Sequence, residues 1–168
     1  YTLSLTASSG GSVSGTGSFN HGTSPTIVAT PDNGYDFLGW SGAGVANSGS
    51  ANTTASLTEA RSLTANFSLK SYLLSLTASS GGSVSGAGSF THGTTATVAA
   101  NPNIGYDFIG WTGAGTNSSG SATTTVSMTQ ARSLTANFSL KSYTLALNAG
   151  SGGSASGTGS FNHGTTPT

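Results

Sequence analysis

The sequence repeats itself with a period of 71 residues. Tyr1 recurs as Tyr72 and Tyr143, and the same offset relates Trp40 to Trp111. A fixed period of tens of residues indicates a tandem array, in which each copy is one structural unit. We therefore predict two complete repeats, residues 1–71 and 72–142, followed by a third copy, residues 143–168, that stops in mid-repeat. The chain is accordingly expected to be a slice of something longer.

Low charge narrows the range of functions. Only 5% of the residues are charged and the formal net charge is zero, whereas ordinary soluble domains carry about 25% charged residues. Nucleic-acid binding requires clustered Lys and Arg, so we do not expect it. The same surface lacks the charge that normally opposes association, so like chains or neighbouring repeats are the expected partners. The sequence contains no apolar run long enough to predict a membrane span.

Each copy has the pattern of a series of short β-strands. Apolar and polar residues alternate, or β-branched and aromatic residues cluster, between turns rich in Gly, Ser and Asn. The clearest strands of the first copy lie at residues 1–5, 26–30, 35–40 and 61–69. No window favours a stable helix. The pattern predicts an all-β fold: small β-sandwich or barrel-like repeats of 71 residues.

The junction between copies is short. Only Lys70 and Ser71 separate Leu69, at the end of one copy, from Tyr72 of the next. Two residues span at most about 7 Å, and neither is Gly or Pro. The chain also has no cysteine, so small units must gain stability from β packing or from their neighbours. We therefore predict that the repeats stack into a semi-rigid rod.

The two complete copies share five motifs. In the first copy these are Tyr1-Thr-Leu-Ser-Leu5, Gly10-Gly-Ser-Val13, His21-Gly-Thr, Gly34-Tyr-Asp-Phe-Leu-Gly-Trp40 and Leu63-Thr-Ala-Asn-Phe67. With these motifs each copy resembles the divergent internalin-B-type B-repeat, a tandem β-rich module of bacterial surface and secreted proteins. The resemblance implies an extracellular, non-catalytic stalk or adhesion module and contributes no catalytic residues.

A histidine recurs in every copy, as His21, His92 and His163, each followed by Gly. Metal sites need several converging ligands, and none of the three has a neighbouring Cys or carboxylate in the sequence. A histidine that forms a turn or a hydrogen bond is therefore favoured over a site shared between neighbouring repeats. No metal or other cofactor is predicted.

The acidic residues of the aromatic strand, Asp36 and Asp107, invite a catalytic interpretation. One carboxylate per copy cannot supply the pair that acid–base hydrolysis requires, so we expect these residues to bond hydroxyl groups or to pair with Arg61 and Arg132, respectively. Glu59 becomes Gln in the second copy, so no acidic cluster for calcium is maintained. Since no nucleophile-elbow motif is present either, we predict that the protein is not an enzyme.

The aromatic strands offer a possible ligand surface. Trp40 with Tyr35, and Trp111 with Tyr106, could stack against sugars. Aromatic residues spaced two apart share one face of a strand, however, and in a domain this small they more often fill the core. The core role is favoured, and contact with surface glycans is the alternative.

Four asparagines match the N-glycosylation acceptor pattern: Asn52, Asn66, Asn117 and Asn137. Such matches arise by chance in a chain rich in Ser and Thr, so these are minor candidates for glycan attachment.

These observations predict a structural extracellular protein, a semi-rigid surface fibre or adhesin stalk. Its low charge and its edge strands also predict self-association into filaments. The alternative is a multivalent carbohydrate-binding module that uses the aromatic strand of each repeat.

Overall fold

The computed structural model describes residues 1–166, and this range contains strands but no helix. The residues group into two compact units. Unit 1 comprises residues 1–71 together with 91–93, and unit 2 comprises residues 72–90 and all described residues from 94 onwards. Within the described range, no helix is long and apolar enough to cross a bilayer.

The first copy folds into seven strands. They are β1 (Thr2–Ala7), β2 (Gly11–Ser14), β3 (Gly17–Ser18), β4 (Thr26–Pro31), β5 (Tyr35–Ser41), β6 (Asn52–Thr54) and β7 (Arg61–Leu69). One sheet has the order β3-β1-β7-β5 and the other has the order β2-β4-β6. Strands β1 and β7 are parallel, whereas the other neighbours are antiparallel.

The core of unit 1 is built from inward-facing residues of both sheets. Leu3 of β1 and Leu63 of β7 are contributed by the first sheet, and Ile27 of β4 by the second; each is at most 1% exposed. Burial of three such side chains contributes about 1.5–3 kcal/mol each. The unit is therefore a small two-sheet sandwich, and neither sheet closes on itself.

The later copies form nine further strands. They are β8 (Ser71–Ala78), β9 (Gly82–Ser85), β10 (Gly88–Thr91), β11 (Thr94–Pro102), β12 (Tyr106–Thr112), β13 (Thr123–Met128), β14 (Arg132–Leu140), β15 (Ser142–Leu145) and β16 (Gly159–Asn162). The second copy repeats the two-sheet plan with the orders β10-β8-β14-β12 and β13-β11-β9. In the third copy, β15 and β16 form an antiparallel pair.

The prediction of an all-β fold with 71-residue repeats is confirmed, and the sandwich form is the one adopted. The alternation of residues 61–69 predicts that Leu63, Ala65, Phe67 and Leu69 all face inward, and the assignment of Leu69 is wrong. Leu63, Ala65 and Phe67 are buried as the alternation predicts, but Leu69 is 38% exposed. It pairs with Tyr35, the first residue of β5, and so lies at the end of the sheet, where less of the second sheet covers it.

The Gly-Gly motif has a packing explanation. A Cβ at Gly10 would overlap the ring of Tyr35, and one at Gly11 would overlap the ring of Phe67. Gly10 also has φ +99°, a conformation that favours glycine. The second copy shows the same contacts, so the motif allows two aromatic rings to lie against the backbone of the turn.

Candidate functional site

The tryptophan of the aromatic strand lies in the core. Trp40 is 5% exposed and Trp111 is 4% exposed. The indole N–H of Trp40 donates to the carbonyl oxygen of Ser50 at 3.1 Å, and Trp111 makes the same bond to Ser121. Phe37 packs edge-on against Trp40, with the ring centroids 6.0 Å apart. The indole faces are therefore not available for stacking against a sugar in this conformation.

A β-bulge explains how Trp40 reaches the core. Side chains of a regular strand alternate between its two faces. If Tyr35 and Phe37 point inward, residue 39 would also point inward and residue 40 would point outward. The register between β5 and β7 shifts between Phe37 and Gly39, and the shift turns Trp40 inward. The same bulge lies between Phe108 and Gly110 in the second copy.

The bulge leaves an aliphatic side chain on the surface of each copy. Leu38 is 64% exposed and Ile109 is 60% exposed. Ile109 borders a shallow groove that is also lined by Trp111, itself 4% exposed, and by Thr112, Ser119 and Asn137. The half-buried tyrosines Tyr35 and Tyr106 do not line this groove; each lies against a glycine of its own copy's Gly-Gly motif.

The histidine of each copy lies in a tight turn, as predicted. His21, His92 and His163 each form a two-residue turn with the following glycine, and we call this the His turn. The ring of His21 lies 5.6 Å from that of Tyr1, and the ring of His163 lies 6.1 Å from that of Tyr143. The His turns at His92 and His163 have a second contact, with the glycine of a different turn.

That second turn precedes the aromatic strand. Residues 33–34 and 104–105 form turns that end in buried glycines, and we call each a Gly turn. In unit 1, a Cβ at Gly34 would overlap the ring of His92; in unit 2, a Cβ at Gly105 would overlap the ring of His163. The two histidines therefore occupy space that only glycine leaves open.

The expected pairing of Asp36 with Arg61 is wrong. Asp36 Oδ1 lies 3.5 Å from Lys70 Nζ, and Asp107 is placed in the same way beside Lys141, also at 3.5 Å. In the sheet register Asp36 is opposite Ser68, seven residues from Arg61, which corresponds to roughly 23 Å along the strand.

The second copy departs from the predicted ion pair in the same way, because Arg132 does not approach Asp107. Arg61 instead pairs with Glu59 at 2.9 Å. In the second copy position 130 is Gln, and Arg132 donates to the hydroxyl of Thr129 at 3.4 Å. The Nε atom of Arg132 is buried without a hydrogen-bond partner in the part of the chain that the structure describes.

The four candidate asparagines fall into two classes. Asn52 and Asn117 are exposed. Asn66 and Asn137 are half-buried, and their side-chain amides donate to the bulge: Asn66 Nδ2 to Gly39 O at 3.1 Å and Asn137 Nδ2 to Gly110 O at 3.2 Å. Since Nδ2 is the atom to which an N-linked glycan attaches, the first class is the better placed for modification.

Residues 1–166 contain no group of three or more His, Asp or Glu side chains placed to hold a metal ion. The residues that recur between the copies contact other parts of the fold. Sequence reasoning did not assign a role to Lys70 or Lys141, whose backbone groups bond both to a Gly turn and to a His turn. Lys70 and Lys141 recur at the same position of each copy in a chain with only four basic residues, and this recurrence indicates that the position has a role.

Comparison with known proteins places the repeats in a described class of domains. Residues 1–71 and 72–142 each match the family model for the divergent InlB B-repeat domain. A comparison with curated proteins returned no match, and neither did one with solved structures. The boundaries of both matches coincide with the 71-residue period.

Proposed function

This chain belongs to the divergent InlB B-repeat family, and from that membership we propose that it is a semi-rigid structural array displayed outside the bacterial cell. The family is typically associated with bacterial surfaces. The array would act as a stalk or spacer, and its function would follow from the number of repeats. We propose no catalytic step.

The observation that carries the proposal is the bonding of Lys70. This residue alone separates β7 from β8. Its N–H donates to Gly34 O at 2.8 Å, and its carbonyl oxygen accepts from the N–H of His92 at 2.8 Å, both within unit 1. A one-residue linker whose N–H and carbonyl oxygen are both hydrogen-bonded within unit 1 has little conformational freedom of its own.

Self-association into filaments is the alternative to a single stalk, and the edges of the larger sheet in the first copy favour the single stalk. Strand β3, at one edge of the larger sheet, has two residues. Strand β5, at the other edge, carries the bulge, and the N–H of Trp40 donates to Ser48 O at 2.8 Å. Short, bulged or covered edges oppose pairing with another chain. Sedimentation velocity at rising concentration should therefore show a monomer, and concentration-dependent growth would support filaments.

The semi-rigid array can be tested by measuring a distance distribution. The chain has no cysteine, so Ser48→Cys and Ser119→Cys give two unique labelling positions in exposed loops. Spin labels at these positions should give a narrow distribution by double electron–electron resonance. A matched control carries a flexible Gly-Ser insertion directly after Lys70 and should give a broad one.

The outcome separates the two models of the junction. A distribution as broad in the original chain as in the insertion variant would reject the semi-rigid array. A glycan array probed with the same labelled protein tests the carbohydrate alternative, for which the buried indoles offer no support.

A further inference from the structure

The contact between the third and second copies in unit 2 is specific. The imidazole of His163 covers Gly105, and a Cβ at Gly105 would lie 2.6 Å from His163 Cγ and 2.8 Å from Nε2. Contacts this short require the ring to move. Cγ is the ring atom bonded to Cβ, so a small rotation of the ring does not relieve the overlap. The Gly turn and the His turn therefore fit only while residue 105 is glycine.

Backbone hydrogen bonds hold the two turns together. The N–H of Lys141 donates to Gly105 O at 2.8 Å, and the N–H of His163 donates to Lys141 O at 2.8 Å. Lys141, near the end of the second copy, therefore bonds to the Gly turn with its N–H and to the His turn with its carbonyl oxygen. All three residues belong to unit 2.

Unit 1 contains the same arrangement with different residues. His92 covers Gly34, and Lys70 makes both backbone bonds at 2.8 Å. Residues 91–93 come from the second copy but belong to unit 1. Both junctions of the chain thus reproduce one set of contacts, although Asn33 of the first Gly turn is replaced by Ile104 in the second.

We propose that each Gly turn, together with the lysine near the end of the same copy, is a docking surface whose partner is the His turn of the next copy of the same repeat. Docking is directional, because a copy offers its Gly turn forward and its His turn backward. The local stability of each junction then depends on the presence of the following copy, as nearest-neighbour coupling in repeat proteins requires. This proposal adds a mechanism to the proposed array, and it rests on the proposed function in assuming that the copies act as a tandem series.

The first copy provides an internal control. His21 contacts Tyr1 as His163 contacts Tyr143. Among residues 1–166, however, no glycine has the His21 ring next to its Cβ position. Replacing His21 therefore removes only the contact inside its own copy. Replacing His163 removes its contact with Tyr143 and the docking contact with Gly105, and replacing His92 removes the docking contact with Gly34.

Amide hydrogen exchange in the full chain tests the proposal. In His163→Ala, exchange of the Lys141 amide should accelerate by at least about tenfold, since its bond to Gly105 O opens locally. His92→Ala should do the same to the Lys70 amide, and His21→Ala should accelerate neither. Unchanged exchange of Lys70 and Lys141 in these variants would overturn the proposal.

A double-mutant cycle tests the steric fit. Gly105→Ala introduces both φ strain, at +83°, and overlap with His163. Gly164→Ala is the matched control, because φ is +79° and nothing lies within 4 Å of its Cβ position. Gly105→Ala should lower the midpoint of unfolding of unit 2 more than Gly164→Ala does, and adding His163→Ala should cause less further loss than it causes alone.

Additive effects in this cycle would contradict the fit between the two turns. The exchange experiment remains decisive if Gly105→Ala fails to fold, since the histidine variants leave the glycines in place. A narrow label-to-label distribution with unaltered lysine exchange would reject docking and leave the array standing. A broad label-to-label distribution with accelerated lysine exchange in the histidine variants would reject the semi-rigid array and retain docking.

Discussion

Asn66 Nδ2 lies 3.1 Å from the carbonyl oxygen of Gly39 and donates a hydrogen bond to it. The same amide also reaches Ser41 Oγ, at 3.3 Å. Gly39 is paired with Asn66 at the position where the register of β5 shifts. Because that shift turns Trp40 into the core, a polar side chain on β7 fixes the position of the largest ring in the repeat.

Replacing Asn66 by Asp should therefore destabilise unit 1. The change removes the donor and sets a negative charge beside the Gly39 carbonyl, at an expected cost of about 1–3 kcal/mol. Chemical denaturation provides the measurement. Asn52→Asp is the control, since Asn52 is exposed and its side chain makes no such bond to the bulge. Equal losses in the two variants would show that the bulge does not depend on Asn66.

Replacing Gly11 by Ala tests the packing role of the Gly-Gly motif. Gly11 has no left-handed backbone conformation, so the cost should come from overlap with the Phe67 ring alone. Overpacking of this kind costs about 1–3 kcal/mol. Thermal unfolding should show a clear loss for Gly11→Ala and little change for Gly49→Ala, whose Cβ would meet only the Asn47 side chain at 3.6 Å. Similar midpoints for the two variants would contradict the packing explanation.

Much of the sandwich could be predicted from periodicity. The pattern of residues 61–69 gave β7 with its observed ends, because alternation directly records which face of a strand is buried. The bulge could not be predicted in this way. Tyr35 and Phe37 fit period two, but Trp40 does not, and only the sheet register shows that an extra residue restores its inward position.

The contacts of charged and turn residues were less accessible to sequence reasoning. The sequence predicts that Asp36 bonds a hydroxyl group or pairs with Arg61, but Asp36 pairs with Lys70, because the partner depends on the register between β5 and β7. The sequence predicts the His turn itself, but it does not predict that the histidine of this turn packs against the glycine of a Gly turn. A contact between turns far apart in the sequence leaves no local pattern beyond the recurrence of both residues.

Gln130→Glu should stabilise the second copy slightly. Position 130 corresponds to Glu59, which pairs with Arg61 at 2.9 Å in the first copy. In the second copy the Arg132 guanidinium instead donates to the Thr129 hydroxyl at 3.4 Å. Exposed ion pairs contribute about 0.2–1 kcal/mol. Denaturation at low salt should show the gain, and Glu59→Gln should show a similar loss in unit 1. A gain that persists at high salt would point to a cause other than the ion pair.

The burial of the indoles predicts a distinctive fluorescence signal. The chain has two tryptophans, so Trp111→Phe leaves Trp40 as the only one. Since Trp40 is 5% exposed and its N–H is bonded to Ser50 O, its emission should be blue-shifted relative to that of the unfolded chain and should resist quenching by acrylamide. Trp40→Ala should cost about 3–5 kcal/mol because it leaves a cavity between the sheets. Soluble oligosaccharides should leave the emission of Trp40 unchanged, whereas a saturable shift on adding them would show that the indole becomes accessible and would restore the carbohydrate alternative.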